Sequence, residues 1–287
     1  MNIPKDRRRA VLVTGCSSGI GRALALHLAT SGFIVFATVR KEVDAESLRG
    51  LKEPDLVPVC PLDLTRLEDV IRTADAVGRE IERRGLPGLY ALINNAGAGG
   101  IAPVELMDLD KFRVELQARV LGSVAMVQGF LPMIRKAGGR ILWIVTPAAV
   151  PTPYVASIHA CDFAWNCLAR TLDLELKSQK VPSVMIRCGG IRTEAVGKSD
   201  RELTESLKRW PADRLAFYED ALRRWMKDMA KFDAQRTPAG KVAEVVFKAL
   251  KAGRPRRRYS IGHMARAAAF LEALPQAMGD AILRMRF

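Results

Sequence analysis

Short apolar runs alternate with longer helical stretches along almost the whole chain, and this alternation restricts the architecture more than any single motif. The strand candidates are Ala10–Val13, Ile34–Thr38, Val57–Cys60, Ala91–Ile93, Ile141–Val145, Ser183–Arg187 and, late, Arg258–Ile261. Helical patterns fill the gaps at Ile20–Ser31, Glu42–Lys52, Leu67–Arg84, Leu109–Arg135, Tyr154–Ser178 and Gly240–Lys251. Continuously apolar strands, each followed by a helix, predict an α/β chain with a parallel sheet covered on both faces.

The 287 residues, 49% of them apolar, are enough for one substantial core. No repeat, low-complexity tract or long linker divides them, so a single domain spanning 1–287 is expected. Two segments fall outside the strand–helix rhythm. Residues 194–239 are helical, and from Lys198 to Asp233 they are densely charged, with Trp210, Phe217, Tyr218, Trp225, Met226 and Met229 at mixed spacing. Such an insertion over the strand ends reads either as a substrate lid or as a surface helix pair packed through its aromatics. Residues 252–287 form a C-terminal extension: the last strand, then an amphipathic helix from Met264 to Phe287 suited to dimer or core packing. Arg284 and Arg286 in that helix leave peripheral membrane contact as the less favoured option.

The formal net charge is +14, part of it in two clusters: Arg7, Arg8 and Arg9, and Arg254, Arg256, Arg257 and Arg258. Neither cluster has interleaved aromatics or a nucleic-acid motif, so a basic surface that helps attract a phosphate-bearing cofactor is expected rather than a nucleic-acid partner. No apolar run reaches eighteen residues, and the N-terminus enters its first strand without a secretory signal pattern. The five cysteines, Cys16, Cys60, Cys161, Cys167 and Cys188, show no metal-like pairing and read as reduced thiols. A cytoplasmic location is expected.

The first chemical motif is Thr14-Gly15-Cys16-Ser17-Ser18-Gly19-Ile20-Gly21, between the first strand and the first helix. Its glycines permit a tight turn and close backbone approach, and the helix N-terminus offers free N–H groups to a pyrophosphate. The second strand ends Val39-Arg40, where an acidic residue would hold a ribose 2′-hydroxyl. A planar cation there suits a 2′-phosphate, so NADP(H) is favoured over NAD(H). Asp63-Leu64 follows the third strand and Asn94-Asn95-Ala96-Gly97 the fourth. This ordered set resembles the short-chain dehydrogenase/reductase family over roughly Ala10 to Thr193, and the tail resembles the hydroxysteroid and retinol dehydrogenase branch. The resemblance implies a Rossmann-type, doubly wound, three-layer fold. It also implies that Asp63 and Leu64 flank the adenine, that Asn95, Ala96 and Gly97 line the cofactor pocket, and that Ile191 and Thr193 contact the carboxamide. Dimers or tetramers are common in the family.

The resemblance fails at the catalytic residues. The family's helical Asn aligns with Arg119, and its Ser at the end of the fifth strand aligns with Thr146, which keeps a hydroxyl. The loop from Thr146 to Tyr154 is about five residues short. Tyr154 matches the family's acid/base tyrosine, but Ile158 stands where its lysine belongs. A phenol has a reference pKa of about 10, so without a nearby cation it is a weak base. Arg119 is the candidate replacement cation and would clamp an oxyanion or reach the pyrophosphate. His159 is turned about 100° from the Tyr154 face, and Asp162 lies on that face two turns along.

The leading expectation is an NADP(H)-dependent oxidoreductase with Tyr154, Arg119 and Thr146 as its catalytic set. It would reduce a hydrophobic multi-ring substrate, imine or carbonyl, including reductions coupled to cyclisation. A non-catalytic NADP(H)-binding sensor or scaffold is the alternative, and a non-redox cyclase or isomerase is a third.

Overall fold

The computed structural model describes residues 8–97, 99–147 and 150–286. Arg7 of the first basic cluster and Phe287 of the terminal helix lie outside them, as does the side chain of Arg286.

Seven strands form one parallel sheet: β1 (Ala10–Val13), β2 (Ile34–Thr38), β3 (Leu56–Val59), β4 (Leu89–Asn94), β5 (Arg140–Val145), β6 (Ser183–Cys188) and β9 (Arg258–Ile261). Two further short strands, β7 (Ile191–Arg192) and β8 (Thr237–Pro238), pair only with each other. The main sheet runs β3-β2-β1-β4-β5-β6-β9, so its order reverses between β1 and β4. In a doubly wound sheet the crevice at that reversal, beyond the strand C-termini, is where ligands bind.

The strands alternate their side chains between two cores. Val11 and Val13 of β1 face a layer with Leu24 and Leu28 of α1 (Gly19–Thr30), Ala45 and Leu48 of α2 (Glu42–Arg49), and Val242 and Val246 of α10 (Ala239–Lys251). Ala10 and Leu12 face the opposite layer. There they meet Val70 and Val77 of α3 (Leu67–Arg83), Met126 and Phe130 of α5 (Gly122–Lys136), and Trp165 of α6 (Ala156–Glu175). These are the three layers that the apolar runs predict.

Three expected elements differ. The long helix over Leu109–Arg135 is two helices, α4 (Leu109–Leu116) and α5, joined by a wider π-type turn at Gln117–Leu121. Gly122 follows that turn and lies so close to the Leu64 carbonyl that a Cβ there would collide with it. The helix expected to begin at Tyr154 begins at Ala156. The single terminal helix is broken at Pro275 into α11 (Ala265–Leu271) and α12 (Gln276–Arg286), since a proline supplies no N–H to continue a helix.

The insertion is helical: α7 (Glu194–Arg209), α8 (Ala212–Leu215) and α9 (Glu219–Ala234). The β7–β8 pair ties its two ends together beside the C-terminal edge of the sheet. Leu203, Leu222 and Trp225 are its buried anchors. Among the described residues, no helix is long and apolar enough to cross a membrane, and no cluster of His, Cys, Asp or Glu is arranged to hold a metal.

Candidate active site

The glycine motif forms a turn locked from below. Gly15 has φ +72°, and a Cβ there would sit 2.9 Å from Ala96 Cα. Gly21 presses against the Gly15 carbonyl, with no room for a Cβ. Thr14 Oγ1 accepts from the Asn95 and Ala96 N–H groups at 2.9 and 3.0 Å. Asn95 Nδ2 in turn donates to the Thr14 and Gly15 carbonyls at 2.9 and 3.3 Å. Asn95 thus spends its amide holding the glycine turn, a structural task that the motif alone does not reveal.

Ser18 precedes α1 without a side-chain cap, which leaves the helix's first N–H groups pointing at the crevice. Ser17 is exposed, while Ser18, Gly19 and Ile20 are half-buried. Thr193, at the root of the insertion, comes to this turn: a Cβ at Gly19 would lie 3.2 Å from Thr193 Cβ. Ile191 is buried in β7 beside it. Arg40 is exposed just beyond β2, and Val39 is buried. Asp63 is half-buried, which would raise its pKa, yet the Thr65 N–H and O–H and the cations of Arg40 and Arg66 bring it below the ordinary value. Leu64 is half-buried next to it. A bare helix N-terminus, glycines without room for side chains and a guanidinium at the ribose end fit a dinucleotide phosphate.

The three expected catalytic residues do not form one group. Arg119 sits in the π-type turn between α4 and α5 and is 6% exposed. Its Nη2 pairs with Asp162 Oδ1 at 2.6 Å, and its Nη1 donates to the Ile158 carbonyl at 3.1 Å. The guanidinium carbon lies 5.1 Å from the Trp165 ring centre. Trp165 Nε1 donates to the Arg119 carbonyl at 2.5 Å, an acceptor that the widened turn releases from regular helix pairing. Arg119 Nε is buried without a partner among the described residues and lies against Gly97, where a Cβ would come within 2.8 Å of it.

Thr146, just past the end of β5, donates from Oγ1 to Asp162 Oδ2 at 2.6 Å. Asp162 is therefore the hub, 1% exposed and clamped between a cation and a hydroxyl. In sequence, Asp162 stands out only by its spacing from Tyr154. A signal for its role was available: a buried arginine demands a counter-charge, and Asp162 is the acid one helical turn beyond Ile158.

Tyr154 requires a correction. It lies ahead of α6, with φ +68°, so Tyr154 and Ile158 do not share a helix face. Pro151 and Pro153 precede it and resist helical backbone. The left-handed Tyr154 turns its carbonyl to accept from the Ala102 N–H at 2.8 Å. Its ring meets Trp225 of α9 edge-on, with ring centres 5.7 Å apart. Ile158 packs on Gly99, which leaves no space for a Cβ there. His159 is partly buried, with Nδ1 unpartnered among the described residues, and burial pushes its imidazole below its ordinary pKa, toward the neutral form, against the opposing pull of Asp162 and the Val150 backbone.

Two cavities open under the insertion. One, of about 540 Å³, is lined by Tyr154, Trp225, Met229, Phe232, His263 and Met264. The other, of about 390 Å³, lies between α4 and α7 and contains Glu115, Ser157 and Trp210. Glu115 Oε1 accepts from the Gly100 N–H at 2.9 Å, and burial raises its pKa. Sequence reasoning identified neither Glu115 nor the pairing of Trp225 with Tyr154.

The short chain dehydrogenase family pattern matches residues 9–204, about two thirds of the chain. The chain belongs to this family. Among its relatives, the 11-beta-hydroxysteroid dehydrogenase type 2 of Ovis aries is 32% identical over 267 residues, covering 89% of this chain and 61% of that one. The chain thus spans less than two thirds of the hydroxysteroid dehydrogenases it matches, 61–64% of their length. A 3-amino-tetrahydro-pyrrolizinone reductase of Xenorhabdus hominickii is 30% identical over 258 residues, covering 89% and 87%. A short-chain dehydrogenase from Burkholderia cenocepacia, solved with NADP, has the same fold, with a TM-score of 0.73 at 24% identity over 99% of both chains.

Proposed function

We propose that this short-chain dehydrogenase is an NADP(H)-dependent oxidoreductase that reduces a hydrophobic imine or carbonyl substrate with a rearranged set of polar groups. A tight glycine turn beside an Arg119–Asp162–Thr146 network in which both oxygens of Asp162 are bonded is the observation that carries this reading.

The glycine turn and the α1 N-terminus would hold the pyrophosphate, Arg40 the 2′-phosphate, and Asp63 and Leu64 the adenine. Ile191 and Thr193 would hold the carboxamide. When bound, the reduced cofactor supplies a hydride. The chain's own residues would position the acceptor: Tyr154, Trp225, Phe232 and the methionines form the apolar part of a cavity that Arg224, Asp228 and Lys231 also line, Thr146 would meet the reacting group, and α7–α9 would act as a lid that excludes water. With no lysine beside the phenol, Tyr154 is a weak proton donor, which disfavours ordinary alcohol dehydrogenation, where acid–base help is worth about 10²–10⁴-fold. The relative named as a pyrrolizinone reductase supports a nitrogen-containing bicycle as one substrate type.

NADPH carrying deuterium at its transferable position is the test, applied with a panel of cyclic imines and ketones. Deuterium in the product supports the reading, and Arg119→Ala and Tyr154→Phe should both reduce its incorporation. NADPH binding with no transfer to any panel member would identify a sensor instead. Product formed without deuterium would identify a non-redox cyclase or isomerase.

A further inference from the structure

The direction of one hydrogen bond narrows the substrate class. Thr146 Oγ1 lies 2.6 Å from Asp162 Oδ2, while Oδ1 of the same carboxylate is paired with Arg119 at 2.6 Å. An ionised carboxylate has no proton to give, and a threonine hydroxyl has one. The hydroxyl proton therefore points at Asp162. What remains on Thr146 Oγ1 toward the site is lone-pair density, so in this arrangement Thr146 accepts and does not donate.

From this we infer that the group reacting beside Thr146 is a hydrogen-bond donor, the N–H of a protonated imine, rather than a carbonyl oxygen. The inference rests on the proposed function in one respect, namely that Thr146 faces the substrate. A carbonyl would have to draw the hydroxyl proton away from Asp162 and leave Oδ2 unpaired at a residue 1% exposed. Hydrogen bonds to charged groups are strong enough that this would cost the carbonyl about 10- to 100-fold. Arg119 commits two of its five N–H groups, one on Nη1 and one on Nη2, to Ile158 and Asp162, and its Nε lies against Gly97. The selectivity therefore belongs to the atom that meets Thr146, while Arg119 and Tyr154, whose ring is held at Trp225, keep donors of their own.

Iminium reduction also matches the missing proton machinery. One hydride adds to the carbon, the C=N π pair becomes the nitrogen lone pair, and NADPH is the two-electron donor. The positive charge of the iminium is neutralised by the hydride, so no proton is taken up. A ketone reduced by the same hydride must also receive a proton on oxygen. Asp162 acts in this scheme as a positioning residue, since it fixes which way the Thr146 proton points.

The test compares 3,4-dihydroisoquinoline with 1-tetralone, two-ring probes that differ at the reacting group, in mildly acidic buffer where the imine is protonated. NADPH consumption gives kcat/KM for each. The expected wild-type ratio favours the imine by about tenfold or more. In Asp162→Asn, Arg119 retains the amide oxygen, so the amide N–H₂ faces Thr146 and donates to it. The Thr146 proton is then free, and the ratio should fall about tenfold toward the ketone. Thr146→Val, which removes the acceptor and also leaves Asp162 Oδ2 without its hydroxyl donor, should cut imine turnover more than ketone turnover, and it serves if Asp162→Asn does not fold. A wild-type preference for 1-tetralone, or a ratio unmoved in folded, NADPH-binding variants, overturns the inference.

If neither probe is turned over, quenching of bound NADPH fluorescence by tetrahydroisoquinolinium and by 1-tetralone separates the two readings. Preferred binding of the ammonium ion keeps the donor-selective site and removes the hydride-transfer reading. Equal or reversed binding removes both.

Discussion

Arg119 and Asp162, 43 residues apart in sequence, meet at 2.6 Å with both side chains almost fully buried. The contact joins the π-type turn between α4 and α5 to the second turn of α6. Removing one partner leaves the other charged and unsolvated. Arg119→Ala is therefore expected to lower unfolding stability by about 3–5 kcal/mol. The double substitution Arg119→Met with Asp162→Leu should be close to neutral, because apolar replacement of a buried pair removes its desolvation cost. Urea unfolding of the three proteins checks this, and equal losses for the single and double variants would contradict it.

Arg40 is the cation exposed at the end of β2, beside the Asp63 side of the crevice. Arg40→Asp places a carboxylate where a 2′-phosphate would lie and where a 2′-hydroxyl would find an acceptor. NADPH affinity should fall at least about tenfold, and the NADH:NADPH affinity ratio should rise by more than that. Titrations of both cofactors measure this. An unchanged ratio would remove Arg40 from the cofactor site.

Gly21 lies against the Gly15 carbonyl with no space for a methyl group. Gly21→Ala must push the first turn of α1 away from the glycine loop, just where a pyrophosphate would bind. NADPH binding should weaken by about two orders of magnitude, while the far-UV spectrum stays helical, because the displacement is local to one helix end. Wild-type affinity in this variant would argue against the turn as the phosphate cradle.

Much of this was legible in the sequence, for a physical reason. Ala10–Val13 and Ile34–Thr38 appear as strands at their expected bounds because continuous β-branched or apolar runs, buried on both faces, have few other conformations available. The glycine turn was legible because its geometry tolerates no other residue. Two local features were not. Helical periodicity extended α6 back to Tyr154, yet a proline-bearing lead-in and one left-handed residue start it at Ala156. The Arg119–Asp162–Thr146 network depends on how two helices and a strand end cross. No window of sequence contains that crossing, although the demand of a buried arginine for an acid pointed toward it.

Glu115 supplies a pH signature. Burial raises its pKa above the ordinary 4.5, outweighing the opposing hydrogen bonds and the nearby Arg119. The folded chain thus holds this proton more tightly than the unfolded chain does. Its contribution to stability is fully present below 4.5 and is lost as pH rises through the folded value. Glu115→Gln keeps an acceptor for the Gly100 N–H and cannot ionise. The variant should match wild type in mildly acidic buffer and exceed it at neutral and higher pH, as read from urea midpoints across pH. A difference that does not vary with pH would show that Glu115 is not the titrating group.

Ile158→Lys is the substitution that the family pattern invites, and the geometry predicts that by itself it will not create an alcohol dehydrogenase. The new ammonium would rise from the residue whose carbonyl already binds Arg119 at 3.1 Å, placing two cations close together in a half-buried space. Tyr154, two residues outside the helix and turned toward Trp225, would not be brought to it. Ile158→Lys should therefore lose stability and leave NADP⁺-dependent oxidation of secondary alcohols at background. Adding Arg119→Asn removes the competing cation and should recover stability relative to the single variant. Alcohol oxidation by Ile158→Lys alone, at rates about 10²-fold above wild type, would mean that Tyr154 readily re-enters the helix and that the left-handed turn at Tyr154 does not govern the chemistry.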